Sequence, residues 1–177
     1  RLDSLDLAMI EAFVPGLGIN GRATGSLDFA QASSTAFPRA DARLQIANFS
    51  RTTAVSVSQP LDINFVGKLL PDGGEARAVM RRRGAVIGRM VASLNPLPPG
   101  SGSWTTRLLS APLGGGIRYN GPADTLFSFA GQPDQRLSGP IGVAADFSGR
   151  VQSPELSGII RANNLTYENQ TYGTRLS

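Results

Sequence analysis

The sequence predicts an all-β fold carrying two short helices, and three observations lead there. From Leu137 to Glu168 apolar side chains alternate through Ile141, Val143, Ala145 and Phe147, then through Leu156, Ile160 and Ala162, with Gly139, Gly149, Pro154 and Gly158 between them. A period of two sets one face of a strand against an apolar environment and the other against water. A fainter, ungapped copy lies upstream in constant register: Asp6 matches Asp124, Ala12 matches Ala130, Pro15 matches Pro133, Gly21 matches Gly139, Asp28 matches Asp146 and Phe29 matches Phe147. Such a copy points to a repeated strand module, with units at 1–118 and 119–177, the second incomplete. Finally, 21 glycines and 12 prolines in 177 residues favour short strands and turns over long helices.

Each element has its own signal. Leu5, Met9, Ala12 and Phe13 fall at helical spacing and Pro15-Gly16 stops them, so a short helix is expected over Leu5–Phe13. Strands are expected at Ala23–Phe29, Ala42–Ala47, Ala54–Val57 and Leu61–Leu70, the last with Leu61, Ile63 and Phe65 opposed to Asp62 and Asn64. Asp72-Gly73-Gly74 turns the chain into Ala76–Arg82, and Arg83-Gly84 turns it again into Ala85–Leu94. Asn95 to Gly102 is a loop. Trp104–Leu109 and Gly116–Tyr119 are strand candidates, and Pro122–Ala130 is a second short helix with proline in its first turn. The closing strands run over Leu137–Phe147, Gly149–Val151, Leu156–Ala162 and Leu165–Glu168.

Composition excludes several function classes. Charged residues make up 17% and hydrophobic ones 41%, unlike a charge-rich disordered chain. There is neither histidine nor cysteine. That removes the commonest general base, the thiolate nucleophile and the commonest metal ligand. No apolar run is long enough for a membrane helix and no signal peptide is present. The chain opens on Arg1 and stops at Ser177 in mid-pattern, as a piece of a longer protein would. The net charge of +4 comes almost wholly from arginine, with Lys68 the single lysine. Phosphate binding and an arginine-rich codon bias both account for it.

Motifs of known chemistry fare poorly. Gly16, Gly18 and Gly21 satisfy the dinucleotide-binding spacing with Asp41 beyond, but the expected order is helix then strand, the reverse of what a pyrophosphate cradle needs. The glycines read as a turn. Arg81, Arg82 and Arg83, with Arg77 and Arg89 nearby, form the densest positive patch; without interleaved aromatics it is no single-strand nucleic-acid platform. It reads as a solvated strand edge, with a lipid-phosphate or partner contact as the alternative. Asp3, Asp6 and Glu11 form no oxygen-ligand loop for a cation. Asp28 and Asp146 belong on the wet face. Asn48-Phe49-Ser50, Asn164-Leu165-Thr166 and Asn169-Gln170-Thr171 match glycosylation sequons, a pattern too short to carry weight. No serine sits in a nucleophile elbow. No catalytic residue, cofactor or metal is expected.

The order of several degenerate motifs is more specific than any one alone. Leu137-Ser138-Gly139, Ala145-Asp146-Phe147-Ser148-Gly149, Pro154-Glu155-Leu156-Ser157-Gly158, and Tyr167-Glu168-Asn169 leading to Tyr172-Gly173-Thr174 resemble the TamB family of bacterial envelope proteins, the translocation and assembly module subunit related to AsmA-like proteins. Gly121-Pro122-Ala123-Asp124-Thr125-Leu126 and Asn95-Pro96-Leu97-Pro98-Pro99-Gly100 are similar to the family too. The resemblance covers residues from about 76 to the end, and more loosely those before. It implies a large periplasmic protein anchored in the inner membrane of a Gram-negative bacterium, whose body is a long β-sheet curled into a U-shaped apolar trough. It further implies work with a TamA-like outer-membrane barrel in assembling or secreting outer-membrane proteins, and bridge-like carriage of phospholipid between membranes. The implied partners are acyl chains or unfolded clients, and neighbouring β modules of the same chain.

The residues themselves allow two architectures. An apolar sheet face must be covered by helices, a second sheet or a ligand, and the sequence offers only two short helices. The inward set comprises Leu44, Ile46, Val55, Val57, Leu61, Ile63, Phe65, Ile117, Tyr119, Ile141, Val143, Phe147, Leu156 and Ile160. Those side chains line an open trough for lipid or client, or pack on each other in a closed β-sandwich binding module of carbohydrate or adhesion type. A hydrolase or oxidoreductase is the third and weakest reading.

Overall fold

The computed structural model describes residues 1–12, 18–52, 57–130, 135–169 and 174–176. Strand makes up 68% of it, and its main body is one antiparallel sheet of nine strands that does not close into a barrel. In chain order the strands are β1 (Leu2–Asp6), β2 (Ile19–Ala30), β3 (Arg39–Arg51), β4 (Leu61–Leu70), β5 (Gly73–Arg82), β6 (Ala85–Leu94), β7 (Leu113–Pro122), β8 (Gln135–Ser138), β9 (Pro140–Arg150), β10 (Ser153–Ala162), β11 (Thr166–Asn169) and β12 (Thr174–Leu176). Helices α1 (Trp104–Leu109) and α2 (Ala123–Ala130) interrupt them, and a 3-10 helix covers Leu7–Ala12. The large sheet runs β1-β2-β3-β4-β5-β6-β7-β9-β10, and a second sheet of three short strands runs β12-β11-β8. Every pairing is between antiparallel strands, those of the large sheet joined directly except where the 3-10 helix, α1, or α2 with β8 intervenes.

Among the described residues the second sheet has three short strands against nine in the first, and Leu137 of β8 packs against the Tyr119 and Ile141 cluster of the large sheet. Three local expectations change. Trp104–Leu109 is a helix rather than a strand: Ser103 caps it, its hydroxyl accepting from the Thr106 amide at 3.2 Å. Leu5 and Asp6 belong to β1, and only Leu7–Ala12 is helical, opened by an Asp6 carboxylate that accepts from the Ala8 amide at 3.0 Å. Gly73 and Gly74 lie inside β5, the turn being Pro71-Asp72. The strand expected at Ala54–Val57 falls outside the described residues except for Val57, which bridges to Thr52.

The order strand, helix, antiparallel strand occurs twice, as β1, the 3-10 helix and β2, and as β7, α2 and β9. In both places a glycine with positive φ bends the strand that follows, Gly21 at 133° and Gly139 at 116°. A β-carbon on Gly139 would stand 2.6 Å from the Asn164 carbonyl oxygen, and one on Gly21 would stand 3.0 Å from that of Ala47. Opposite these bends the chain is kinked in turn by an asparagine in the left-handed region, Asn48 at φ 53° and Asn164 at φ 55°. Two of the three sequon asparagines, Asn48 and Asn164, thus have a backbone role.

The helices lie at the two ends of the sheet. Helix α2 packs on β8 and also reaches β7 and β3, strands four places apart. At the opposite end α1 presents Arg107, 8% exposed. Its Nε donates to the Leu97 carbonyl at 2.6 Å, its Nη2 to the Pro71 carbonyl at 3.0 Å, and the guanidinium lies 4.8 Å from the Phe37 ring centre. Those partners come from the β6–α1 loop, the β4–β5 turn and the β2–β3 loop. Past α1, the amides of Val151 and Gln152 donate to the carbonyls of Ala111 and Leu109, tying in the β9–β10 turn. One buried cation thus holds this end of the sheet together.

Replacing Arg107 by alanine should leave two partly buried carbonyls without this donor and cost about 2–4 kcal/mol. Lysine should restore less than half of that, because a single ammonium cannot serve both carbonyls and the ring as the planar fork does. Urea unfolding midpoints of the two variants check both expectations.

Candidate functional site

The in-phase register of the large sheet builds its most distinctive surface. One row of directly opposed residues, from β2 across to β10, reads Gly25, Leu44, Phe65, Ala78, Met90, Ile117, Ala145 and Gly158. The row on one side of it reads Ala23, Ile46, Ile63, Met80, Gly88, Tyr119, Val143 and Ile160. The row on the other side reads Leu27, Ala42, Gly67, Ala76, Ala92, Gly115, Phe147 and Leu156. Charge is wholly absent from these three rows. Because alternate residues share a face, all three lie on the same side of the sheet. Eight strands at their normal spacing make this stripe roughly 34 Å wide measured along the sheet.

The opposite face is wet. A row there reads Ser26, Arg43, Val66, Arg77, Val91, Gly116, Asp146 and Ser157. Arg118 on that face donates to the Asp146 carboxylate at 3.0 Å and to the Ala145 carbonyl at 2.9 Å. Asp28 stands opposite Asp41 there. Placement of the two matched aspartates on the solvated side follows from the same alternation.

Most of the inward set is gathered on the apolar face: Leu44, Ile46, Leu61, Ile63, Phe65, Ile117, Tyr119, Ile141, Val143, Phe147, Leu156 and Ile160. Val57 is not part of it, being 63% exposed in a segment outside the sheet. Val55 lies outside the described residues. Burial divides the rest. Tyr119 and Ile141 are core rather than open lining, packed with Ala123 of α2 and flanked by the partly buried Met80, Ile87, Ile117, Leu126, Leu137, Val143 and Leu165. Leu61 is buried too, whereas Leu156 and Ile160 on edge strand β10 are 71% and 68% exposed. Met80, Met90 and the alanines of β5 and β6 escaped the sequence-based set because they are not bulky strand formers. Their alternation, Ala76, Ala78, Met80 and then Met90, Ala92, Leu94, was the available signal.

Small residues shape this face. A β-carbon on Gly67 would stand 2.8 Å from the Phe65 ring, and one on Gly115 would stand 2.7 Å from the Phe147 ring. The rings occupy the space that side chains at those glycines would need, so they lie over the sheet. Between the central strands and Leu108 of α1 this leaves a cleft of about 270 Å³, lined by Ala42, Phe65, Leu69, Ala76 and Ala92. Such a surface offers contact to hydrocarbon.

Tyr119 marks where the face becomes polar. Its hydroxyl donates to the Pro122 carbonyl at 2.8 Å, at the turn into α2. Burial is the largest influence and lifts its pKa above the usual 10.0; a hydrogen bond with Thr125 and the charge of Arg82 act the other way, and Asp124 adds to the rise. The folded chain therefore keeps this proton where the unfolded chain releases it. Stability from Tyr119 should be complete below about pH 10 and lost as pH climbs through the higher folded value. Tyr119→Phe should cost about 1 kcal/mol at pH 7. It should also remove this part of the alkaline decline, which urea titration from pH 8 to 11 measures.

Comparison of the chain with protein-family models, with curated proteins and with solved structures finds no match to any of the three.

Proposed function

We propose that the chain is a segment of a TamB-like cell-envelope protein, in which the apolar face of a curled sheet carries phospholipid acyl chains, unfolded outer-membrane proteins, or both, between inner and outer membranes. One observation carries the reading: three adjacent rows without a single charge cross eight strands of an open sheet. Hydrophobic surface of that extent is a binding surface in a soluble setting. Each methylene buried against it contributes about 0.8 kcal/mol, so an acyl chain needs only a fraction of its length in contact to be held. Non-directional contacts also suit movement along the stripe, since no hydrogen bond has to break at each step. The order of motifs from residue 76 onward, similar to the TamB family, favours the envelope setting and an outer-membrane barrel of TamA type as partner. In this role the chain is not an enzyme.

Ile63 and Val143 belong to one row of the face and test the proposal in cells. A photocrosslinking residue at either should capture phospholipid or client protein. Ile63→Asp should abolish transport while lowering stability by less than about 1 kcal/mol, because its charge would stay solvated in an open trough. A closed core would instead trap the ion and lose about 3–5 kcal/mol. Unfolding of Ile63→Asp together with no crosslink at either position would refute the trough.

A further inference from the structure

The densest charge cluster of the chain is unused by the function proposed above. Arg81 and Arg82 end β5, Arg83 follows in the turn, and β5 is a central strand with β4 and β6 on its flanks. The sequence-based role of a charged, aggregation-resisting edge is thereby excluded, since the edges of the large sheet are β1 and β10. All three line one cleft at the end of the strand, although alternation sets Arg81 on the face opposite that of Arg82. Met80 faces Gly88 while Arg81 faces Val86, so Ile87 is an extra residue in β6. Arg83 then enters the turn with φ at 48°. A cleft of about 430 Å³ is lined by all three arginines with Asn48, Gln59 and Asp62.

The charge in that cleft is unbalanced. Among the described residues no ion pair joins any of the three arginines to an acid. The one carboxylate present, Asp62, accepts from the Asn48 amide at 3.1 Å. Arg82 donates to the side-chain carbonyl of Gln59. Strand alternation puts Arg82 on the same face as Met80, and its charge is felt at the Tyr119 hydroxyl, on the apolar side of the sheet. Ile63 and Met80, directly opposed in the neighbouring row, begin the hydrocarbon surface next to it. A cationic cleft therefore borders an apolar stripe.

We propose that Arg81, Arg82 and Arg83 form a phosphate site at the rim of the apolar face. Its ligand is a phosphate ester whose hydrocarbon part lies against Ile63 and Met80. Guanidinium groups suit this ligand, because their planar donor pairs match two phosphate oxygens at once. The site rests on the reading of the face as a hydrocarbon-binding surface, and gives that surface a polar terminus that fixes which end of the amphiphile leads.

Calorimetric titration of the 177-residue chain with three monomeric probes tests it. Dihexanoylphosphatidylglycerol carries both parts, dihexanoylglycerol only the hydrocarbon, and glycerol 3-phosphate only the phosphate. The complete lipid should bind at least tenfold more tightly than either fragment. R81Q/R82Q/R83Q should bind it no better than dihexanoylglycerol, and Arg83→Gln, at an exposed turn, should weaken it severalfold with the unfolding midpoint unchanged. Raising the salt should weaken the complete lipid and leave dihexanoylglycerol unaffected. Equal binding of the lipid by wild type and triple variant would overturn the site while leaving the apolar face intact. Glycerol 3-phosphate binding as tightly as the lipid would overturn the amphiphile in favour of a free phosphoester. Failure of both acyl probes would defeat the reading of the face itself, and this site with it.

Discussion

The constraint on which the structure depends is the phase of alternation across neighbouring strands. From β2 to β10 every strand of the large sheet turns most of its apolar residues to the same side, and cross-strand pairing keeps them in line. A shift of one residue in any strand would put a row of arginine, aspartate and asparagine onto the apolar face. Register is therefore fixed by hydrophobicity. The same condition leaves the molecule with more apolar surface than its own elements cover. Its buried cluster of Tyr119, Ala123 and Ile141 sits at one end, under α2, and no large side chain among the described residues is completely buried. A sheet of this kind relies on what lies against its face as well as on itself.

The contour of the face and the bracing of its ends come from separate parts of the sequence. Small residues along the face, such as Ala42, Gly67, Ala76, Ala92 and Gly115, leave space there for larger neighbours. Phe65 and Phe147 lie in the space above Gly67 and Gly115. The two ends are braced differently. Arg107 joins three loops at one, and α2 inserts its apolar side at the other. Between them the central rows are partly buried, with Leu44, Phe65 and Met90 half-buried and Ala78 buried. The arginine cleft lies at the α2 end, where Arg82 and Tyr119 mark the passage from hydrocarbon-like surface to water.

Much of this was legible in the residues. Strand β6 coincides with its expected span, Ala85–Leu94, because Arg83-Gly84 and Asn95-Pro96 bracket a clean alternation. Helix α2 was marked by Pro122 and by apolar spacing. Helix α1 was not, since Trp104, Leu108 and Leu109 in a six-residue segment fit either period and only the Ser103 cap distinguishes them. Strand β1 was hidden for a similar reason: Leu2 and Leu5 straddle an irregularity in its pairing, which breaks the alternation. The gathering of the apolar set onto one face followed from periodicity. Coverage at its ends did not, because Leu137 and Leu165 reach Tyr119 and Ile141 through tertiary contacts that no local pattern announces. Nor did the position of Arg81–Arg83, whose meaning changes once β5 is seen to be central.

The central claim is that hydrocarbon lies on this face and not elsewhere, and nuclear magnetic resonance tests it most directly. With dihexanoylphosphatidylglycerol bound to methyl-labelled protein, acyl protons should show cross-relaxation to methyls of Leu44, Ile63 and Ile117, and none to Val66 or Val91. Those two valines are equally apolar, half exposed, and on the opposite side of the same strands. Contacts distributed over both faces, or confined to Val66 and Val91, would contradict the account.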